Sequence, residues 1–135
     1  MDARNIAIVA AIVGGLGWIA KIVVMALQGG PDSESVPEAA AFFTGLVGVM
    51  VAAGAAGAHV TRGVSWWRRA LAAVGAIVAV GVVGGLGQAG LTALPGDSWA
   101  QEEAIFGIAG LVSVLAALAA LRLRDRPSGV QAPPP

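Results

Sequence analysis

The chain has 135 residues, of which 57% are hydrophobic and 12% are charged, and its formal net charge is zero. A soluble domain carries about 25% charged residues, so this composition excludes an ordinary water-soluble protein and predicts a one-domain integral membrane protein. The chain has no cysteine and a single histidine, which excludes disulfides, thiolate chemistry, cysteine-based zinc sites and histidine metal clusters. Its usage, rich in alanine, valine, glycine and arginine, is typical of bacterial proteins.

Four apolar runs predict four transmembrane helices, at residues 6–27, 39–60, 70–94 and 104–123. Each run contains the ~20 helical residues needed to cross roughly 30 Å of hydrocarbon. Because no water satisfies backbone N–H and C=O groups inside a bilayer, these runs must be helices. We therefore predict an all-α, integral membrane four-helix bundle over residues 1–123. A cleaved signal peptide is the alternative for the first run, but the run is long for that role and no A-x-A site precedes a soluble domain.

The connections between the runs carry turn and capping residues. The first, QGGPDSESVPE (28–38), and the third, LPGDSWAQEE (94–103), contain Gly and Pro, and the third offers Asp97 and Ser98 as N-caps for the last helix. The middle connection, TRGVSWWRR (61–69), is short and basic. Residues 124–135 are proline-rich and polar, which predicts a disordered cytoplasmic tail.

Basic and acidic residues occupy different connections. The arginines lie at the N-terminus, in the middle connection and around the tail: Arg4, Arg62, Arg68, Arg69, Arg122, Arg124 and Arg126. The first and third connections hold no basic residue and carry acidic ones: Asp32, Glu34, Glu38, Asp97, Glu102 and Glu103. Short basic segments stay in the cytoplasm. The sequence therefore predicts a multi-pass protein of the cell membrane with both termini cytoplasmic and both acidic connections outside.

Residues next to the runs fit the two membrane interfaces, where Trp forms aromatic belts and Arg contacts anionic lipid. We assign this anchoring role to Arg62, Trp66, Trp67, Arg68, Arg69 and Trp99. Docking of nucleic acid or of a protein partner is the alternative for Arg68 and Arg69, and we predict no nucleic-acid partner. The acidic connections are interpreted as solvated caps, with cation collection at a pore mouth as the alternative.

A short motif occurs twice, as IVGGLG at 12–17 and VVGGLG at 82–87, 70 residues later. Downstream the offset becomes 65, and the acidic connections match. These similarities predict two repeated transmembrane hairpins, residues 1–63 and 64–123. Because each unit holds two helices, both copies have the same orientation, as in parallel-repeat transporters.

Small residues recur every three or four positions along the predicted helices. This spacing lets helix backbones approach closely in a membrane, as in small-x-x-x-small contacts. We predict helix packing through Gly14, Gly17, Gly45, Gly48, Gly81, Gly85, Gly107 and Gly110. Gln88, the one amide in the third run, is predicted to form a hydrogen bond between helices.

Lys21 stands inside the first apolar run, on its small-residue face. In the predicted orientation the nearest anions are Glu38 and Glu103, at the outer starts of the second and fourth runs. We predict an intramembrane ion pair of Lys21 with one or both of these carboxylates. A snorkelling lysine is also compatible with this depth. Because an ionisable residue in a span is a functional candidate by default, an anion or proton site and a pair with another subunit remain alternatives.

The sequence carries no nucleotide-binding signature, catalytic triad or metalloprotease motif. We therefore predict no enzyme activity, no cofactor and no metal. The favoured function is that of a non-catalytic structural or interaction protein, which packs through its Gly/Ala-rich helix faces as a homo-oligomer or with another membrane protein of the lipid bilayer. The alternative is a small transporter or channel subunit that uses Lys21 and the acidic outer connections.

Overall fold

The computed structural model describes residues 2–31, 35–96 and 98–124. These residues form four helices and no strand: α1 (Ala3–Gln28), α2 (Val36–Val60), α3 (Trp66–Thr92) and α4 (Trp99–Arg124). All four are long and apolar enough to cross a membrane. The predicted all-α architecture with four candidate spans is therefore confirmed, while the predicted tail beyond Arg124 lies outside the described residues.

The helices begin before the apolar runs that predicted them. α1 includes Arg4, and α3 includes Arg68 and Arg69 in its first turns. Long basic side chains keep their charge in water while their stems lie along apolar surface, so a helix continues past the hydrocarbon. α3 ends at Thr92, before the predicted limit of the run, because Pro95 has no N–H and disfavours helical geometry in the residue before it.

The connection from α1 to α2 is closed by local hydrogen bonds. Gly29 adopts a φ of 81°, and the N–H of Gly30 donates to the carbonyl of Met25 at 2.9 Å, which is a glycine C-cap. Ser35 Oγ accepts from the N–H of Glu38 at 3.4 Å and caps α2. Before α4, the N-cap candidate Ser98 directly precedes the helix, whereas Asp97 lies outside the described residues.

The helices alternate in direction, and α1 is the central one. α1 packs against α2 and α4 and holds most of the buried residues of the bundle. α3 packs against α2 and, more sparsely, against α4. No described residue of α3 is buried. The bundle is therefore a tight three-helix unit with α3 attached along one side.

Contacts at one end of the bundle join the start of α1 to later helices. Asp2 forms an ion pair with Arg62 of the α2–α3 connection. Arg4 Nη2 donates to the carbonyl of Ala120 near the end of α4 at 2.9 Å. At the opposite end, Gln101 Nε2 donates to the carbonyl of Leu91 at 2.8 Å. The start of α1, the basic connection and the last turns of α4 thus share one end.

Candidate functional site

The closest helix contact of the bundle joins α1 to α2 through facing glycines. A Cβ built on Gly14 would lie 2.6 Å from the backbone nitrogen of Val49, and one on Gly17 would lie 2.6 Å from the nitrogen of Gly45. Gly48 faces Gly14 in the same way. Four of the glycines predicted to pack are therefore brought together here, where any side chain would separate the helices.

A second glycine contact joins α1 to α4. A Cβ on Gly110 would lie 2.7 Å from the carbonyl oxygen of Gly15. Gly107 lies farther from α1, with Ile22 Cγ1 at 3.6 Å from its Cβ position. Gly15 was not among the predicted packing residues, although it stands between Gly14 and Gly17. Gly14 and Gly17 of α1 therefore face α2, whereas Gly15 faces α4.

The structure does not bring the remaining predicted glycines, Gly81 and Gly85, into a helix contact. A Cβ at either position would meet nothing within 4 Å. Both glycines instead line a cavity of about 300 Å³ between α3 and the other helices, which we call the α3 cavity. Small residues allow close helix approach, but at Gly81 and Gly85 no other helix comes near enough to use it.

Lys21 is enclosed by side chains of three helices. It is 6% exposed, and its Nζ forms an ion pair with Glu103 at the start of α4. The same Nζ lies 4.7 Å from the ring centroid of Phe106 and 5.4 Å from that of Phe42. A desolvated ammonium gains from both aromatic faces. The ammonium group of Lys21 is therefore paired with a carboxylate and shielded from solvent by two aromatic rings.

The two carboxylates predicted to pair with Lys21 lie in different surroundings. Glu103 is the partner in the ion pair, and its side chain is 21% exposed. Glu38 stands in the first turn of α2 with its N–H bonded to Ser35 Oγ. Sequence reasoning missed Phe42 and Phe106. Helical spacing could have indicated them, because they follow Glu38 and Glu103 by four and three positions and so share their faces.

Residues of all four helices line the α3 cavity, including Trp18, Met50, Gln88 and Phe106. Trp18 packs edge-on against Phe106, with ring centroids 5.5 Å apart, and lies against Gly45. Its Nε1 is buried without a hydrogen-bond partner. The cavity is thus apolar, and it is bounded by side chains that hold the bundle together.

Gln88 forms the interhelical hydrogen bond that the sequence predicted. Its Nε2 donates to the carbonyl oxygen of Glu102 on α4 at 2.6 Å, which confirms the prediction. Its Oε1 is buried without a partner. Gln88 and Trp18 directly follow the two copies of the GGLG motif. The residues that follow the two copies therefore line the same cavity.

The predicted interface anchors lie at both ends of the bundle. Trp66 and Trp67 are 81% and 48% exposed, and the guanidinium of Arg68 lies 5.1 Å from the ring centroid of Trp67. The other basic anchors at this end, Arg62 and Arg69, are exposed, and Arg62 holds Asp2. Trp99 lies at the opposite end, beside Gly30.

Within the described ranges, no three His, Asp or Glu side chains are grouped so that they could hold a metal ion. Comparison with protein-family models, with curated proteins and with solved structures finds no match to the chain. The chemistry of the site is therefore read from its own residues. These are a buried ion pair, two glycine-lined helix contacts and an apolar cavity with unpaired polar atoms.

Proposed function

We propose that this chain is a non-catalytic, multi-pass protein of the cell membrane that acts by associating with itself or with another membrane protein. The observation that supports this is the position of α3. Although α3 is as long and apolar as the other helices, no residue of its described span is buried in the bundle. A helix that adds little to its own bundle is available for a partner.

We place this association on the outer side of α3. Leu71, Val78, Val82 and Leu86 are each more than half exposed and recur at positions that share one helix face. In lipid, helix association depends on van der Waals packing rather than on water exclusion, so a regular, uncharged ridge of this kind suits a second helix. We call these four residues the α3 outer ridge.

Association through the α3 outer ridge predicts cross-linking at one helix and not at another. Because the chain has no cysteine, Val82→Cys adds the only thiol. We expect Val82→Cys to form disulfide-linked dimers in oxidised membranes if the partner is a second copy. Leu115→Cys on α4 is the matched control, since the two residues are 54% and 56% exposed, and it should stay monomeric.

The two cross-linking variants are compared on non-reducing gels after equal oxidation times. Dimer from both variants at equal rates indicates random collision. If neither variant forms a dimer, Val82→Cys is next used for photo-crosslinking to other membrane proteins. A chain that remains a monomer without partners in that second assay contradicts the proposed function.

The proposed orientation places the end that holds Arg4, Arg62 and Arg69 in the cytoplasm, and the proposal rests on the positive-inside rule. Support for it comes from the contacts that bring the start of α1, the α2–α3 connection and the end of α4 together at one end of the bundle. Glu102 and Glu103 lie near the start of α4, at the other end. The basic and acidic connections therefore do not share a side.

Single-cysteine labelling in intact cells tests this orientation. Ser33→Cys and Ser98→Cys should react with a membrane-impermeant maleimide, because both lie in the acidic connections. Val64→Cys, in the basic connection, should react only after the cells are opened, and it serves as the opposite-side control. Labelling of Val64→Cys alone in intact cells would reverse the orientation. Labelling of Ser33→Cys and Ser98→Cys on different sides would contradict four spans.

We also propose that the bundle consists of two repeated hairpins. Support comes from matching positions of the two copies: Trp18 and Gln88 reach the same cavity, and Glu38 and Glu103 both stand near the start of the second helix of their hairpin. The copies differ at Lys21, whose counterpart is Leu91. The two hairpins therefore have matching residues at these positions, but the lysine of the ion pair occurs only in the first hairpin.

The alternative function, a transporter or channel subunit, requires Lys21 to meet a passing ion. Its 6% exposure and its engagement with Glu103 and two aromatic rings favour a structural role instead. The ion pair is therefore assigned to holding α1 against α4.

A further inference from the structure

The start of α3 carries positive charge that its surroundings do not neutralise. Arg68 and Arg69 are exposed, and the first turn of α3 has no acidic residue. The carboxylate that the described residues supply at this end of the bundle is that of Asp2, and it is paired with Arg62. Within the part of the chain that the structure describes, Arg68 and Arg69 therefore have no anionic partner.

Arg68 shares a helix face with the α3 outer ridge, and Arg69 does not. Since an α-helix turns by about 100° per residue, Arg68 lies within about 45° of the middle of the ridge and Arg69 about 145° from it. Helical side chains lean toward the N-terminus of their helix. The guanidinium of Arg68 therefore extends from the ridge toward the headgroup layer, where exposed tryptophans such as Trp66 and Trp67 are typical.

Stacking on Trp67 orients the guanidinium of Arg68. The centre of the guanidinium lies 5.1 Å from the ring centroid of Trp67. A cation–π contact uses the face of the guanidinium, so the N–H groups at its edge stay available. That edge matches the oxygen atoms of a phosphate group, to which arginine donates two parallel hydrogen bonds. Arg68 is therefore suited to bind a phosphate group at the surface of the membrane.

Self-association through the α3 outer ridge brings two Arg68 side chains together. A symmetric pair of identical chains uses the same surface on both copies. Both copies cross the membrane in the same direction, because the same basic residues orient each of them. The two α3 helices are then parallel, and their Arg68 side chains lie at the same depth beside the shared interface. Like charges in this position oppose association unless an anion lies between them.

The anion that fits this position is a phospholipid with a net negative charge. Phosphatidylcholine carries its own cation, so it adds no net negative charge between two arginines. Anionic phospholipids attract basic residues that lie beside a membrane span, and their acyl chains hold the phosphate group at the depth of Arg68. A phosphate ion in solution lacks this apolar anchor.

We propose that the phosphate group of an anionic phospholipid bridges the Arg68 guanidinium groups of two chains, an inference that rests on the proposed association of α3 with a second copy. The lipid is then part of the interface, and self-association depends on the lipid composition of the membrane. This role differs from the anchoring of a single chain, which needs no second copy.

Disulfide cross-linking of Leu71→Cys in liposomes tests this dependence. Leu71 is the ridge residue nearest Arg68 in the chain, and two copies of it meet only in a parallel pair. We expect the initial rate to be roughly fivefold higher in an equimolar mixture of phosphatidylglycerol and phosphatidylcholine than in phosphatidylcholine alone. This factor is the gain for one basic residue at an anionic surface. Leu115→Cys, which is 56% exposed against 61% for Leu71, should cross-link slowly in both lipids.

Substitutions of the two arginines in the Leu71→Cys background locate the effect. Arg68→Gln should cross-link at the higher rate in both lipids, because it removes the repulsion between the copies. Arg69→Gln is the matched control, since it removes an equal charge on the other side of the helix, and it should keep the lipid dependence. Inorganic phosphate, added to phosphatidylcholine liposomes at constant ionic strength, should not raise the rate.

The outcomes separate the lipid bridge from the association itself. Equal rates of Leu71→Cys in the two lipids, both above the rate of Leu115→Cys, would overturn the bridge and leave the association intact. The bridge is also overturned if the dependence persists in Arg68→Gln, if it is lost in Arg69→Gln, or if inorganic phosphate replaces the lipid. If Leu71→Cys, with and without Arg68→Gln, cross-links no faster than Leu115→Cys in either lipid, the association of two copies is contradicted, and the bridge with it.

Discussion

Replacing Gly48 by leucine is expected to lower the free energy of unfolding by roughly 1–3 kcal/mol, the usual cost of overpacking. A Cβ at this position would lie 2.6 Å from the backbone nitrogen of Gly14 and 3.0 Å from the carbonyl oxygen of Ala10. Both atoms belong to the backbone and cannot rotate away, so α1 and α2 must separate. Reversible unfolding in mixed micelles, followed by circular dichroism during titration with SDS, measures the effect.

The matched control for Gly48→Leu is Gly75→Leu on α3. Nothing lies within 4 Å of a Cβ at Gly75, so the stability should change by no more than about 0.5 kcal/mol. A second check uses the facing pair: Gly14→Ala with Gly48→Ala should cost less than the sum of the single variants, because the first separation makes room for the second methyl. Equal stability of Gly48→Leu and Gly75→Leu would contradict the close contact of α1 with α2.

The four helices could be predicted from the sequence because the bilayer allows few solutions. An apolar run of sufficient length must be helical in lipid. Helices α1, α2 and α4 contain their predicted runs entirely, and α3 contains residues 70–92 of its run. The limits were less accurate, since α3 begins at Trp66 and carries two arginines in its first turns. Hydropathy marks the part of a helix that lies in hydrocarbon, and it does not mark where backbone hydrogen bonding begins.

The glycine pattern predicted the packing of three helices and not of the fourth. Gly14 and Gly84 occupy matching places in the two GGLG copies, yet Gly14 meets the backbone of α2 and Gly84 meets open space. A small residue permits close approach, but whether a neighbour approaches depends on the other contacts of both helices. The α3 cavity exists for this reason, and a pattern on one helix cannot reveal it.

The sequence predicted that Lys21 forms an ion pair but not which carboxylate is its partner. The depth of Lys21 and the orientation of the helices limited its partners to Glu38 and Glu103, but choosing between them requires the rotation of each helix about its axis. The aromatic cover from Phe42 and Phe106 depends on the same rotations. Sequence spacing gives which residues share a helix face and leaves open which face meets which.

Lys21 and Glu103 are expected to behave as a coupled pair. Glu103→Gln leaves a lysine with 8% side-chain exposure without its anion, and breaking a buried pair in this way costs roughly 3–5 kcal/mol. Lys21→Leu should cost about 1 kcal/mol, because Glu103 is more exposed and the leucine suits the apolar surroundings. The double variant should resemble Lys21→Leu, which gives a coupling free energy of roughly 3–5 kcal/mol. Glu38→Gln, alone and with Lys21→Leu, measures in the same way how much Glu38 contributes.

The exposed pair between Asp2 and Arg62 is the control for this cycle. Its side chains are 46% and 48% exposed, and ion pairs at the surface contribute about 0–1 kcal/mol. Asp2→Asn should therefore change stability little, in the micelle assay that records a large loss for Glu103→Gln. Raising the salt concentration should weaken the Asp2–Arg62 contribution and leave the Lys21–Glu103 coupling nearly unchanged, because buried charges are screened much less. If the Lys21 and Glu103 substitutions are additive, the lysine is stabilised by the rings of Phe42 and Phe106 and by its position alone, and the pair does not hold α1 to α4.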